Sequence, residues 1–218
     1  MTELVSYYDN RYVRALIQLV PHGIGSAIDV LLNETIEKMR TDRLRAFYTQ
    51  LESGKIELTE EIIHNEDFLH CYFSTVRCVL NTSRKEKIEF FGKLFNKSIK
   101  ASLIYHADDY EYYLKILDEL TLVEIQILNL LNRLESKTNP VDQLRNHILS
   151  ANVEIWKEFA CEMKSQFNID DYFLDETLIR IERTGCLYIP RITSNDLRPY
   201  AAMTTEIYRK LKELIVEQ

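Results

Sequence analysis

The side chains best suited to metal chemistry lie in the run HNEDFLH at 64–70. His64, Glu66, Asp67 and His70 all belong to residue types that ligate metals. The two histidines are six positions apart, so on a helix they point to different sides, and the run does not match H-E-x-x-H. We therefore predict no metal site here and expect surface charges with one histidine at the edge of the core.

A second candidate for chemistry is the hexapeptide PHGIGS at 21–26, which holds two of the five glycines of the chain. Gly23 and Gly25 could present backbone amides to an anion just before a helix. The lysine and the serine or threonine of a phosphate loop are missing, and no strand is predicted before the hexapeptide. We favour a turn that lets two helices approach closely, and a bound ligand is the alternative.

No other motif supplies a reactive set, so the sequence predicts no catalytic residues, no cofactor and no metal. An enzyme would need distant residues, such as His22 and Glu66, to meet in a cleft. The four cysteines are scattered without a C-x-x-C pair, which favours reduced intracellular thiols. With no signal-peptide pattern and no run of 18 apolar residues, we expect a cytoplasmic protein without a transmembrane segment.

The composition favours a helical fold. The 218 residues are 46% hydrophobic, enough for a core, and five glycines and four prolines are few for a turn-rich all-β protein. We predict a mainly α fold, with an N-terminal helical bundle over 1–136 and a winged-helix-like module with a small β-hairpin over 137–218. The polar run SKTNP at 136–140 is the best linker candidate. The helix predicted over 121–136 is left open between the two domains.

Apolar residues at helical spacing and capping residues predict where the helices begin and end. A serine or threonine followed three residues later by an acidic residue is typical of a helix start. Trp156, the only tryptophan, is expected in the core. In chain order, we predict a helix over 4–20, a helix from Ser26 until 53–55, one long helix from Thr59 to Asn81, and helices opened by capping boxes of Ser83 with Glu86 and of Thr121 with Glu124.

The segment 169–218 has the order of elements of a winged-helix module. The run TLIRIERTGCL at 177–187 resembles the L-x-x-L-E-x-x-G-L run that ends the recognition helix in many bacterial winged helix-turn-helix proteins. The resemblance implies a helix followed by a two-stranded wing and a last helix. The predicted parts are a helix capped by Asp171, a left-handed Gly185, a strand over 186–189, a wing loop over 193–199, a returning strand over 199–203 and a final helix capped by Thr204.

The charge of this segment disfavours DNA as its ligand. A DNA-binding module holds the duplex largely through positive charge. Residues 101–218 carry 13 basic and 20 acidic side chains, and residues 169–218 carry 7 basic and 9 acidic. The possible nucleic-acid contacts are Arg180, Arg183, Arg191 and Arg198.

One predicted helix has a basic side opposite an apolar side formed by phenylalanines. Such a helix could contact an anionic partner or a membrane surface. The more common interpretation, which we favour, is a core helix with a solvated lysine face. The possible face for an anionic partner comprises Arg84, Lys85, Lys87, Lys93, Lys97 and Lys100.

The whole chain resembles uncharacterised helical bacterial proteins grouped with abortive-infection (Abi-alpha type) phage-resistance factors. The residues that carry the resemblance are VPHGIGSAID at 20–29, DRLRAFYTQL at 42–51 and the run at 177–187. It implies a prokaryotic or prophage origin and a defence-related role, and it supplies no catalytic residues. We predict a non-enzymatic interaction protein that acts through a protein partner or as a homodimer. The alternative is a DNA-binding transcriptional regulator that uses the C-terminal winged helix.

Overall fold

The fold is known from a computed structural model, which describes residues 30–54, 59–137, 148–169, 171–189 and 202–216. Within these ranges the chain is mainly helical, as predicted, with one two-stranded sheet. The predictions for the helix over 4–20, PHGIGS, the Ser26 cap, the linker after 137 and the wing loop fall outside the described residues.

The described elements are α-helices of 4 to 24 residues, with one antiparallel pair of strands near the end. A single 3₁₀ turn, Leu103–Tyr105, lies between the fourth and fifth α-helices. The elements are α1 (Val30–Ser53), α2 (Glu60–Ile63), α3 (Glu66–Asn81), α4 (Lys85–Lys100), α5 (Ala107–Glu119), α6 (Leu122–Glu135), α7 (Ile148–Phe167), α8 (Asp171–Glu182), β1 (Leu187–Tyr188), β2 (Met203–Thr204) and α9 (Glu206–Ile215).

The chain divides into two compact units. The first contains the described residues of Met1–Asp118 and of Glu213–Gln218, and the second contains those of Glu119–Lys212. Helix α6, whose domain the sequence leaves open, belongs to the second unit.

The core of the first unit is a cluster of aromatic side chains from α1, α3, α4 and α5. Phe95 lies at its centre, with its ring centroid 5.6–6.2 Å from those of four neighbours. Two buried hydroxyl pairs satisfy the polar ends of its tyrosines. In one, the hydroxyls of Tyr48 and Tyr72 lie 2.7 Å apart, and in the other those of Thr75 and Tyr110 lie 2.5 Å apart. The four neighbours of Phe95 are Phe47, Phe68, Tyr72 and Tyr110.

Two glycines allow α1 and α4 to pack closely in this unit. A Cβ atom on Gly92 would lie 2.6–2.7 Å from the Cγ and Cβ atoms of Gln50, closer than real contacts allow. In the opposite direction, Gly54 at the end of α1 faces the side-chain amide of Asn96 on α4. Asn96 Nδ2 also donates to the Gln50 carbonyl oxygen at 2.7 Å. At each glycine, the missing side chain therefore leaves room for a side chain of the other helix.

Two predictions in this unit are wrong, the continuity of one helix and the start of another. The long helix predicted from Thr59 is two helices, because Asn65 adopts an extended backbone and caps α3 by accepting from the Phe68 N–H at 2.9 Å. The predicted Thr59 cap of the first piece is present. The capping box at Ser83 is absent, since α4 begins at Lys85 and Arg84 occupies the N-cap position without a side-chain bond.

The second unit is built around α6, whose predicted apolar side is buried. Its capping box is present as predicted: Thr121 Oγ1 accepts from the Glu124 N–H at 3.3 Å, and Glu124 Oε2 accepts from the Thr121 N–H at 2.8 Å. Trp156 is buried on α7, as predicted, beside Phe159. The buried residues of the predicted α6 stripe are Ile125, Leu128, Leu131 and Leu134.

The hairpin follows α8 through a left-handed glycine, as predicted. Gly185 has a φ of 77°, which L side chains rarely adopt. Strands β1 and β2 are antiparallel, with Leu187 paired to Thr204. The prediction that Thr204 caps the last helix is wrong, because Thr204 belongs to β2. Thr205 takes that role, with Oγ1 accepting from the Tyr208 N–H at 3.3 Å.

Candidate interaction site

A polar network on α6 and α9 anchors the hairpin of the second unit. Glu135 Oε1 accepts from the Thr204 N–H at 2.8 Å, and its other oxygen accepts from the Thr204 hydroxyl. Asn132 Nδ2 donates to Thr204 Oγ1 at 3.2 Å, while Asn132 Oδ1 accepts from Lys212 Nζ at 2.7 Å. The position of β2 therefore depends on side chains that lie about 70 residues earlier in the chain.

The pKa of Glu135 is raised above the ordinary glutamate value, because burial disfavours the charged carboxylate more than its hydrogen bonds from Thr204 favour it. A carboxyl group with a raised pKa in the folded state holds a proton that the unfolded chain has already released. The free energy of unfolding of the second unit therefore falls as the pH rises from about 4.5, the ordinary value, through the raised value.

We expect Glu135→Gln to remove this part of the pH dependence, because the amide does not titrate. Urea unfolding at a series of pH values, followed by the fluorescence of Trp156, isolates the second unit because the chain has one tryptophan. Glu119→Gln is the matched control, since it removes an exposed carboxylate of the same unit. Equal pH slopes for the wild type and Glu135→Gln would show that Glu135 is not the source.

The side of α8 that faces solvent combines opposite charges with large apolar side chains. Phe173 is 58% exposed and Ile179 is 56% exposed. Tyr188 on β1 of the same unit is 53% exposed. The exposed charged residues are Asp175 and Glu176 in the first half of the helix, and Arg180 and Arg183 at its end.

Arg180 is engaged inside the second unit. Its Nε lies 2.6 Å from Oε1 of Glu124, whose side chain is only 3% exposed. One terminal nitrogen of Arg180 also donates to Thr121 Oγ1 at 3.3 Å. The guanidinium therefore neutralises a buried carboxylate and supports the start of α6, which leaves a smaller part of it for an outside ligand.

The structure describes two of the four predicted nucleic-acid contacts. Arg183 is exposed just after α8, and Arg180 is held by Glu124. Arg191 and Arg198 lie outside the described residues, so the convergence of all four arginines stays a prediction.

The predicted basic face of α4 is divided between solvent and the first unit itself. Lys87 is buried, and its Nζ donates to the Asp118 carbonyl oxygen at 2.7 Å and lies 5.7 Å from the centre of the Phe91 ring. Lys97 Nζ donates to two carbonyl oxygens at the end of α9, those of Glu213 and Val216, at 2.6 Å each. Of the remaining basic residues, Lys93 is half-buried and Arg84, Lys85 and Lys100 are exposed.

The side chains that resemble a catalytic group most closely meet on α3 and α5. His70 Nε2 lies 2.7 Å and Ser74 Oγ 3.1 Å from the same oxygen, Oε1 of Glu111. The hydrogen bond to His70 is the main reason why the pKa of Glu111 is lowered. A serine nucleophile requires the histidine, not the carboxylate, as its direct partner. We interpret this group as a surface hydrogen-bond cluster.

The run HNEDFLH does not assemble a metal site. His64 Nδ1 lies 2.7 Å from the Glu60 carbonyl oxygen, and His70 contacts Glu111. Throughout the part of the chain that the structure describes, no three histidine, cysteine or acidic side chains are grouped to hold a metal ion. None of the helices in these same ranges combines the length and the apolar character needed to cross a membrane.

Comparisons with known proteins returned no match among protein-family models, curated proteins or solved structures. The resemblance to the abortive-infection family therefore stays a prediction.

Proposed function

We propose that this chain is a non-enzymatic interaction protein whose second unit binds another protein through α8, and that the partner is a second copy of the chain. The observation that supports this most is the exposed side of α8. Ile179 lies there among two acidic and two basic residues, and Phe173, six positions earlier, is exposed on a different side of the helix. Protein interfaces are built from aromatic and aliphatic anchors, whereas a DNA-reading helix needs polar and basic ones.

The order of the charges along α8 favours self-association. Asp175 and Glu176 lie in its first half, Arg180 lies in its last turn and Arg183 just after it. Glu182, the acidic residue between them, is half-buried and accepts from the Ile189 N–H. Two copies of such a helix, packed antiparallel about a two-fold axis, place the acidic part of each against the basic part of the other. Ile179 is then near the axis, where it contacts its own copy. The same surface on both partners satisfies the charges and buries the apolar side chain.

Sedimentation of the purified chain over a range of concentrations tests this proposal. We expect a monomer–dimer equilibrium that Ile179→Glu shifts strongly towards the monomer, because it places two like charges near the axis. Ile36→Glu is the control, since Ile36 is a similarly exposed isoleucine in the first unit. Its equilibrium should match that of the wild type.

A charge reversal makes the test specific for the antiparallel arrangement. Glu176→Arg should weaken the dimer, because it places arginines on both sides of the pair. The double variant Glu176→Arg with Arg183→Glu should restore it, because the two charges change places. A chain that stays monomeric at its highest soluble concentration, or a double variant weaker than both single variants, contradicts the proposal.

We propose further that the second unit has a winged-helix-like fold. Its support is the succession of α8, the left-handed Gly185, the antiparallel pair β1–β2 and α9. The alternative function, a DNA-binding regulator, draws on the same order of elements and on Arg183. It predicts that the wild-type chain retards duplex DNA at low salt and that Arg183→Ala weakens this retardation. The expected role in phage defence rests on the three segments quoted above.

A further inference from the structure

The second unit contains a cleft that the proposed interface does not use. Its volume is about 730 Å³, and α6, the end of α7 and Lys212 of α9 line it. Four of its residues, at positions 126, 129, 130 and 133, follow one another at helical spacing and so form one side of α6. A volume of this size is within the range of small-molecule sites, roughly 300–1,000 Å³.

The described lining of the cleft carries positive charge. Arg133 and Lys212 line it, and none of the described lining residues is acidic. Arg133 makes no hydrogen bond or ion pair with any described residue, so none of these residues occupies its five donors. Lys212 uses one of its three donors on Asn132. The Glu162 carboxylate accepts from the side chain of Gln166 but does not line the cleft.

A structural role explains only part of this charge. Arg133 lies in the last turn of α6, where a cation complements the partial negative charge of the helix end. Lys212 comes from a different helix, and yet it lines the same cleft. Two cations from separate elements beside one cavity are what recognition of a phosphate or carboxylate requires.

The rest of the lining supports a ligand with an apolar body. Leu130 and Phe167 supply apolar surface, and Gln126, Asn129 and Gln166 supply amides that both donate and accept. We infer that this cleft binds a small organic anion, with a phosphate or carboxylate group at Arg133 and Lys212 and an aromatic or aliphatic body over Leu130 and Phe167.

Calorimetric titration of the full chain with four probes tests this inference. The probes are phenyl phosphate, inorganic phosphate, benzoate and phenol. We expect phenyl phosphate or benzoate to bind saturably, inorganic phosphate to bind more weakly because it lacks the ring, and phenol, which has no charge at neutral pH, not to bind. Whether phenyl phosphate or benzoate binds more tightly distinguishes a phosphate ligand from a carboxylate ligand.

The variants locate the binding. Arg133→Gln should lower the affinity for the tightest-binding probe about tenfold or more, because it removes a charge-assisted contact. This variant should fold normally, since Arg133 has no partner among the described residues. Lys210→Gln, on the exposed part of α9, is the matched control and should bind as the wild type does. Lys212→Gln should also weaken binding and is the second variant.

Two results would overturn the inference: no saturable binding by phenyl phosphate and benzoate, or an affinity that Arg133→Gln leaves unchanged. Either result is independent of the proposed dimer, because Ile179 and Glu176 do not line the cleft. A loss of binding in Ile179→Glu together with the loss of the dimer would place the ligand at the interface instead.

Discussion

Replacing Phe95 by alanine is expected to lower the free energy of unfolding of the first unit by about 3–5 kcal/mol. Phe95 is 1% exposed, and its ring lies against those of Phe47, Phe68, Tyr72 and Tyr110. Alanine leaves a cavity among four rings that come from three other helices, so no single side chain can move to fill it. Urea unfolding followed by far-ultraviolet circular dichroism measures the loss.

Phe73→Ala is the matched control for this prediction. Phe73 is 38% exposed on α3, and its one described ring contact is with Tyr72. Removing that contact should cost no more than about 1.5 kcal/mol. If both variants lose the same free energy, the aromatic cluster around Phe95 does not form the core of the unit.

Arg180→Ala is expected to destabilise the second unit by about 1.5–3 kcal/mol, because it leaves the Glu124 carboxylate buried without its cation. The loss should be near the lower end of this range, since about half of the Arg180 side chain is exposed and solvent screens the pair. The unfolding of the second unit, followed by Trp156 fluorescence, measures it.

Arg183→Ala removes the same charge three residues later and should change stability by less than about 0.5 kcal/mol, because its side chain is exposed. A double-mutant cycle of Arg180→Ala with Glu124→Gln would give the coupling energy of the pair. A coupling energy near zero, or equal losses for the two arginine variants, contradicts the structural role of Arg180. The Arg180–Glu124 ion pair also affects how DNA-binding assays are interpreted. A loss of DNA binding in Arg180→Ala could come from impaired folding, whereas a loss in Arg183→Ala would indicate a direct contact with DNA.

Short-range signals in the sequence predicted the fold well. The capping box of Thr121 with Glu124, the buried side of α6 and the left-handed Gly185 depend on residues only a few positions apart. The break at Asn65 also had a local signal, an asparagine just before two acidic residues, but the continuous apolar pattern across it favoured one long helix.

Long-range contacts explain what the sequence did not predict. Judged from neighbouring residues alone, Thr204 and Thr205 are equally good candidates for the N-cap of the last helix. Pairing with Leu187 and the hydrogen bond to the carboxylate of Glu135, 69 residues earlier, assign the first to the strand. Lys87 looked like part of a solvated face, and its burial depends on the Asp118 carbonyl oxygen, 31 residues later. The cleft at Arg133 and Lys212 depends in the same way on residues about 80 positions apart.

The paired glycines of the first unit have a mechanical consequence. Gly92 on α4 receives Gln50 of α1, and Gly54 at the end of α1 receives Asn96 of α4. Because each notch lies in a different helix, neither helix can slide along the other without pushing a side chain into a backbone that has no room for it. The two close contacts thus fix the position of α1 along α4. We therefore expect α1 and α4 to move together as one rigid body.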